Sequence, residues 1–237
     1  MNMIKERSHG TKRKTAIIVG ALYIIGTVAG ILSKVFIGFT KVTTNENQII
    51  MAALSGLIMA LALAMVPVMM FPILKKHNEP LALGYVIYRG ALETVTTILM
   101  VAGWLFLAIV NQEYITGTLD ASNFQTLRTL LLKGHDSINV ISQIIFPLGA
   151  LMFYALLFKS KLIPRWISGW GFIAAILWIT NAFLGIFGLI IQWSPIQVIL
   201  SMPIFFQEMV MAVWLIVKGF NPSAIAALSA KTNINEI

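Results

Sequence analysis

The chain contains no cysteine. Disulfides, thiol catalysis, thiolate metal sites and S-palmitoylation are thereby excluded. Charge is scarce as well: Asp, Glu, Lys and Arg make up 11% of the 237 residues, against about 25% in soluble globular domains. Acids are the rarer sign, 9 against 17 Lys and Arg. Histidine occurs three times, and His9 and His77 lie in basic stretches far from the His135–Asp136 pair. No His-Glu-x-x-His spacing is present, and one His–Asp pair does not complete a metal site. A Gly-rich phosphate loop, a nucleophile elbow and a Ser-His-Asp set are also missing. The sequence therefore predicts no catalytic residue, no metal and no cofactor, and gives an enzyme no positive support.

Hydrophobic residues make up 58% of the chain, and they are gathered into runs. Six runs meet the length of about 20 apolar residues needed to span a bilayer: 15–39, 49–74, 81–110, 138–158, 170–191 and 196–217. The expected fold is all-α, a six-span membrane bundle over 15–217 between a basic N-terminal tail (1–14) and a C-terminal tail (218–237). The third run exceeds the bilayer and must tilt or emerge. The first is too long for a signal peptide and has no convincing small-residue cleavage site, so an uncleaved anchor is expected. Packing and interhelical hydrogen bonds then hold the bundle together instead of hydrophobic collapse.

A formal net charge of +8 would suggest nucleic acid in a soluble protein. Here the basic residues sit in short loops and tails between apolar runs, so the expected partner is membrane lipid, not nucleic acid. Lys5, Arg7, Lys12, Arg13, Lys14, Lys75, Lys76, Lys159, Lys161, Arg165, Lys218 and Lys231 fall on one side; Lys41, Arg128 and Lys133 fall on the other. That asymmetry predicts both termini in the cytoplasm. Trp166, Trp170, Trp193 and Trp214 mark the same boundaries. The basic inner loops 75–80 and 159–169 also suit contacts with anionic head groups.

The outer connection, 111–137, carries its own pattern. Ser122 and Gln125 have capping-box spacing, and Phe124, Leu127, Leu130 and Leu131 recur at helical intervals opposite Arg128 and Lys133 until Gly134. A short amphipathic helix on the outer membrane surface is expected there, capping the bundle.

Charges deep in hydrocarbon are rare and are usually paired or functional. Arg89, Glu93 and Glu208 lie about 12, 18 and 13 Å from the inner ends of their spans at 1.5 Å per residue. Tyr23 and Asn181 lie about 12 and 16 Å deep on the same count. Arg89, Glu93, Glu208, Asn181 and Tyr23 are therefore the candidate ligand-binding residues, and the third and sixth spans are expected to be neighbours. Tyr85, Arg89, Glu93 and Thr97 form one polar stripe on the third span. One guanidinium between two carboxylates leaves one negative charge in excess when both acids ionise, which calls for a proton or a cation.

Two readings of this layer stay open: a site for a small polar or amphipathic solute, as in a transporter or membrane binding protein, and an ion-pair clasp that only holds helices together. A water-filled vestibule would favour the first. Pro67, Pro147 and Pro203 interrupt three spans, as prolines do in transporters and in membrane helices generally. Gly26 and Gly30 form a small-xxx-small pair that suits close helix packing, while the oligomeric state stays open.

The strings FPILKKHNEPLALGY (71–85), SKLIPRWISGWGFI (160–173) and QEMVMAVWLIVKGFNPSAI (207–225), with NENQII (45–50), resemble the bacterial membrane family catalogued as domain of unknown function 4386. The likeness runs from about 14 to 230. It implies a multi-helix protein of the bacterial cell membrane, and it brings no catalytic set to carry over.

Overall fold

In hydrocarbon the backbone has only itself to hydrogen-bond, so each apolar run winds into a helix. A computed structural model describes the backbone at residues 2–38, 45–191 and 194–234, and side chains at 11–38, 45–191 and 194–228. It contains α1 (Asn2–Ile37), α2 (Glu46–Leu74), α3 (Glu79–Tyr85), α4 (Glu93–Ile115), α5 (Ala121–Ser160), α6 (Arg165–Ile186), α7 (Pro195–Val217) and α8 (Pro222–Ile234). A π-helical segment, Val86–Leu92, joins α3 to α4, so Glu79–Ile115 forms one continuous span. Six helical stretches among the described residues are long and apolar enough to cross a membrane. The predicted Trp193 boundary, Lys41 and the His9 side chain lie outside the described residues.

The spans pack in sequence order and close on themselves. α1 packs on α2, α2 on α4, α4 on α5, α5 on α6, α6 on α7, and α7 returns to α1. That order puts the third span across the interior from the sixth. No extended helix packing joins α7 to α3, α4 or the π segment among the described residues, so the expected neighbours are opposite walls. Short loops explain the arrangement, because each favours an antiparallel partner next in sequence.

Small residues set the closest approaches, as expected for helices packing in lipid. A methyl group at Gly20 of α1 would come within 2.6 Å of the Ala212 carbonyl of α7. Gly26 and Gly30 face Leu63 and Met59 of α2, so the small-residue pair serves packing within the chain. Outward faces expose Leu61, Phe106, Ile173 and Val213, whereas Tyr23, Tyr85, Tyr154 and Gln207 are buried. This inversion of the soluble pattern fits a bundle surrounded by hydrocarbon.

Two expectations change. The outer segment is helical from Ala121, but it runs through Gly134 without a break into the fourth span. Its N-cap is Asp120, which accepts from the Ser122 and Asn123 amides, and not Ser122. Phe124 stacks on Tyr114 at 4.2 Å, and Leu131 and Leu132 pack against a cluster containing Ile49 and Trp104. Part of the apolar face thus rests on protein, while Leu127 and Leu130 stay exposed, and that packing overrides the glycine stop signal. At the other end, where a tail is expected from 218, Phe220 and, within α8, Ala224, Ile225 and Leu228 join the main core.

Two outcomes follow. Ser122 and Lys76 are both exposed at opposite ends of the bundle. With both termini inside, as the basic residues predict, Ser122→Cys reacts with an impermeant thiol reagent from outside and Lys76→Cys does not; the reverse pattern overturns the orientation. At Asp120, hydrogen bonds from Asn123 hold the carboxyl below its ordinary pKa. A depressed pKa stabilises the helix start above the ordinary Asp range and loses that effect as pH falls through the lower folded value. Hydrogen-exchange protection of the Ser122 and Asn123 amides should drop over that acidic window, and Asp120→Asn should remove the pH dependence while keeping the cap.

Candidate functional site

Arg89 sits where the third span changes its winding. The Glu93 amide donates to the Tyr88 carbonyl, five residues back, so the turn around Arg89 is one residue wider than an α-turn. Threonine hydroxyls bond to carbonyls around this turn: Thr94 Oγ1 donates to Gly90 O at 2.6 Å, and Thr96 and Thr97 Oγ1 donate to Glu93 O at 2.9 and 2.8 Å. Glycines admit the neighbours. A methyl group at Gly90 would lie 3.1 Å from Pro67 Cγ of α2, and one at Gly149 of α5 would lie 3.1 Å from the Arg89 backbone nitrogen.

From this position the Arg89 side chain, 3% exposed, crosses the interior. Nη1 donates to Glu93 Oε1, and Nη2 donates to Glu208 Oε1 of α7 at 2.9 Å. The guanidinium lies over the Phe146 ring, 4.4 Å from its centroid, which adds a cation–π contact to the two charge-assisted bonds. Tyr23 of α1 and Tyr85 of α3 are buried beside the charges; the Tyr85 hydroxyl has no hydrogen-bond partner among the described residues, and its ring stacks on Phe153 at 4.5 Å. Glu93 Oε2 is buried with no hydrogen-bond partner. A cavity of about 10 Å³ adjoins it, bounded by Met59, Leu63, Arg89, Glu93, Thr94 and Thr97. That is room for roughly one water molecule.

Arg89, Glu93, Glu208 and Tyr23 thus come together. Asn181 does not: its Nδ2 donates to Ser201 Oγ at 2.9 Å, and seven residues of α7, about 10 Å at helical rise, separate Ser201 from Glu208. The His135 ring packs against Trp104 instead, with centroids 4.0 Å apart and the planes tilted by 36°. A second buried polar group escaped the sequence reading. Tyr154 Oη donates to Gln207 Oε1 at 2.6 Å, and Gln207 Nε2 donates to the Ile167 carbonyl at 3.1 Å, tying α5, α6 and α7 together. Gly171 makes room for it, since a methyl group there would come within 2.5 Å of the Tyr154 ring. The signal was an uncharged amide in an apolar run, beside an acid that drew the attention.

These elements fall within one recognised family. The sequence profile described as Domain of unknown function (DUF4386) matches residues 18–219. The chain belongs to this family. No curated protein and no solved structure matches it. The matched stretch of this DUF4386 chain holds the whole cluster, the π-helical turn and the Tyr154–Gln207 network.

The cluster's chemistry is set by its imbalance. One guanidinium faces two carboxylates, so losing the cation is worse than losing one acid. Arg89→Met leaves two acids buried without compensation and should cost about 3–5 kcal/mol. Glu208→Met leaves a balanced Arg89–Glu93 pair and should cost less. In the double variant the two effects should fall short of additive by about 1–3 kcal/mol. Denaturation of the four proteins in one detergent measures this, and additivity would show that Arg89 and Glu208 do not interact.

Proposed function

We propose that the Arg89–Glu93–Glu208 cluster is a clasp, fastening the third span to the sixth across a multi-pass membrane bundle that carries no solute through its centre. The supporting observation is the space at the cluster. A cavity of about 10 Å³ is far below the roughly 300–1,000 Å³ of small-molecule sites. The guanidinium is already held by two carboxylates and an aromatic face, and the space beside it admits about one water and no solute at its remaining donors. In this reading the protein is a non-transporting component of the bacterial cell membrane, with both termini in the cytoplasm.

A solute-binding reading draws on one specific feature, the buried Glu93 Oε2 without a partner in a cluster with one acid in excess. Proline neighbours would supply the movement: Pro67 touches Gly90 of the π segment, and Pro147 follows Phe146 directly. A proton suffices to balance the charge without any solute.

Aqueous access separates the two readings. Thr97 borders the cavity, and the cysteine-free chain permits a single label. With Thr97→Cys in membrane vesicles, the clasp predicts slow modification by a small hydrophilic thiol reagent from either side, far slower than at Lys76→Cys from its accessible side. Comparable rates from one side would establish a solute path and displace the clasp.

A further inference from the structure

A second feature lies at the basic end of the bundle, where the α5–α6 loop meets the segment after α7. A groove of about 520 Å³ opens there, lined by Lys161, Arg165 and Lys218 around Trp214, Phe220 and Asn221. No acidic residue lines it. The three cations are exposed, and none forms an ion pair with a carboxylate among the described residues. Three like charges around one concavity repel each other, so the groove favours an anion.

Its backbone is arranged to the same end. Lys161 holds a left-handed conformation, φ 57°, where helix ends ordinarily place glycine; such a departure suggests that the side chain is wanted there. Asn221 N donates to Leu162 O at 2.8 Å, pinning the two loops together. Helices α6 and α8 begin at Arg165 and Pro222, so two positive dipole ends adjoin the groove. The opposing feature, the carbonyl end of α7, is covered. Arg13 donates to the carbonyls of Leu215, Ile216 and Val217 at 3.1, 2.7 and 3.1 Å. Arg165 is steadied over the Phe158 ring, 5.2 Å from its centroid.

We propose that this groove binds the phosphate-bearing head group of an anionic membrane lipid. Phosphate is the shared chemistry with soluble anions, and position decides for lipid. The groove sits at the ends of three spanning helices, level with Trp166, Trp170 and Trp214, residues typical of the membrane–water boundary. Its buried floor of Leu162, Ile163 and Phe220 suits the apolar start of a lipid, and basic pockets between spans bind such head groups. The inference stands apart from the clasp, since none of the groove residues belongs to the charged cluster.

The test uses the full chain in mild detergent micelles doped with phosphatidylglycerol or phosphatidylcholine, or containing inorganic phosphate, with binding read by native mass spectrometry and melting temperature. Phosphatidylglycerol should bind in saturable fashion and raise the melting temperature, whereas phosphatidylcholine should not. Removing one cation should weaken binding about fivefold, and the triple change Lys161→Gln, Arg165→Gln, Lys218→Gln on the order of a hundredfold. Lys161→Gly keeps the left-handed turn while deleting the charge, so its loss of binding is not due to misfolding. Lys75→Gln with Lys76→Gln, at the other basic loop and outside the groove lining, should leave the affinity of the saturable site unchanged. Equal binding of the two lipids, or undiminished phosphatidylglycerol binding by Lys161→Gly and the triple variant, would overturn the proposal. Saturable binding of inorganic phosphate that displaces the lipid would reassign the groove to a soluble anion.

Discussion

A guanidinium buried in a membrane bundle has to be satisfied by protein, and the interior of this structure is arranged around that requirement. Arg89 has donors to fill, room for about one water beside it and hydrocarbon outside the helices. Glu93, one turn on, takes one edge, and Glu208, on the opposite wall, takes another. Phe146 covers the face. The backbone accommodates the same residue through the π-helical turn from Val86 to Leu92 and through Gly149, which lets α5 approach the Arg89 main chain. A change in any of these positions reaches the cluster by contact.

The ring order of the spans gives the Arg89–Glu208 bond its leverage. Neighbouring helices already adhere through small residues and apolar packing, but walls that face each other across a ring share no such surface. A long side chain reaching from one wall to the other ties them directly. The Tyr154–Gln207–Ile167 network does similar work among α5, α6 and α7, and Gln207 and Glu208 sit side by side on α7. Two polar ties therefore leave the same turn of α7 towards different partners. At the same end Arg13 fastens α1 to the end of α7, and Lys161, Arg165 and Lys218 frame the groove.

Much of this was legible before any coordinates. Hydrophobic run length is a strong signal because the bilayer imposes it, so the six spans stood out. Arg89, Glu93 and Glu208 stood out for the same reason, since few charges survive in such runs. Depth counting placed Tyr23 correctly beside them. It failed for Asn181 because α6 begins at Arg165 and not near 170, which sets Asn181 about 24 Å along its span, level with Ser201 and not with Glu208. The π turn left no periodic trace, as a single widened turn hardly disturbs an apolar run. Gly134 read as a stop, yet Leu131 and Leu132 found a packed surface that carried the helix past it. The groove is assembled from two stretches, 161–165 and 214–222, separated by about 50 positions, and only the fold brings them together.

The central claim is that Arg89 spans the interior to Glu208 in a dry setting. Magic-angle-spinning NMR in lipid bilayers tests it directly, by dipolar recoupling between guanidinium nitrogens and glutamate carboxyl carbons, with water-edited spectra from the same sample. The account predicts that the Arg89 nitrogens recouple to two carboxyl carbons, that one contact vanishes in Glu208→Leu, and that the guanidinium signal builds up slowly from water. A guanidinium that recouples to Glu93 alone, or that equilibrates with bulk water as fast as an exposed arginine, would contradict it.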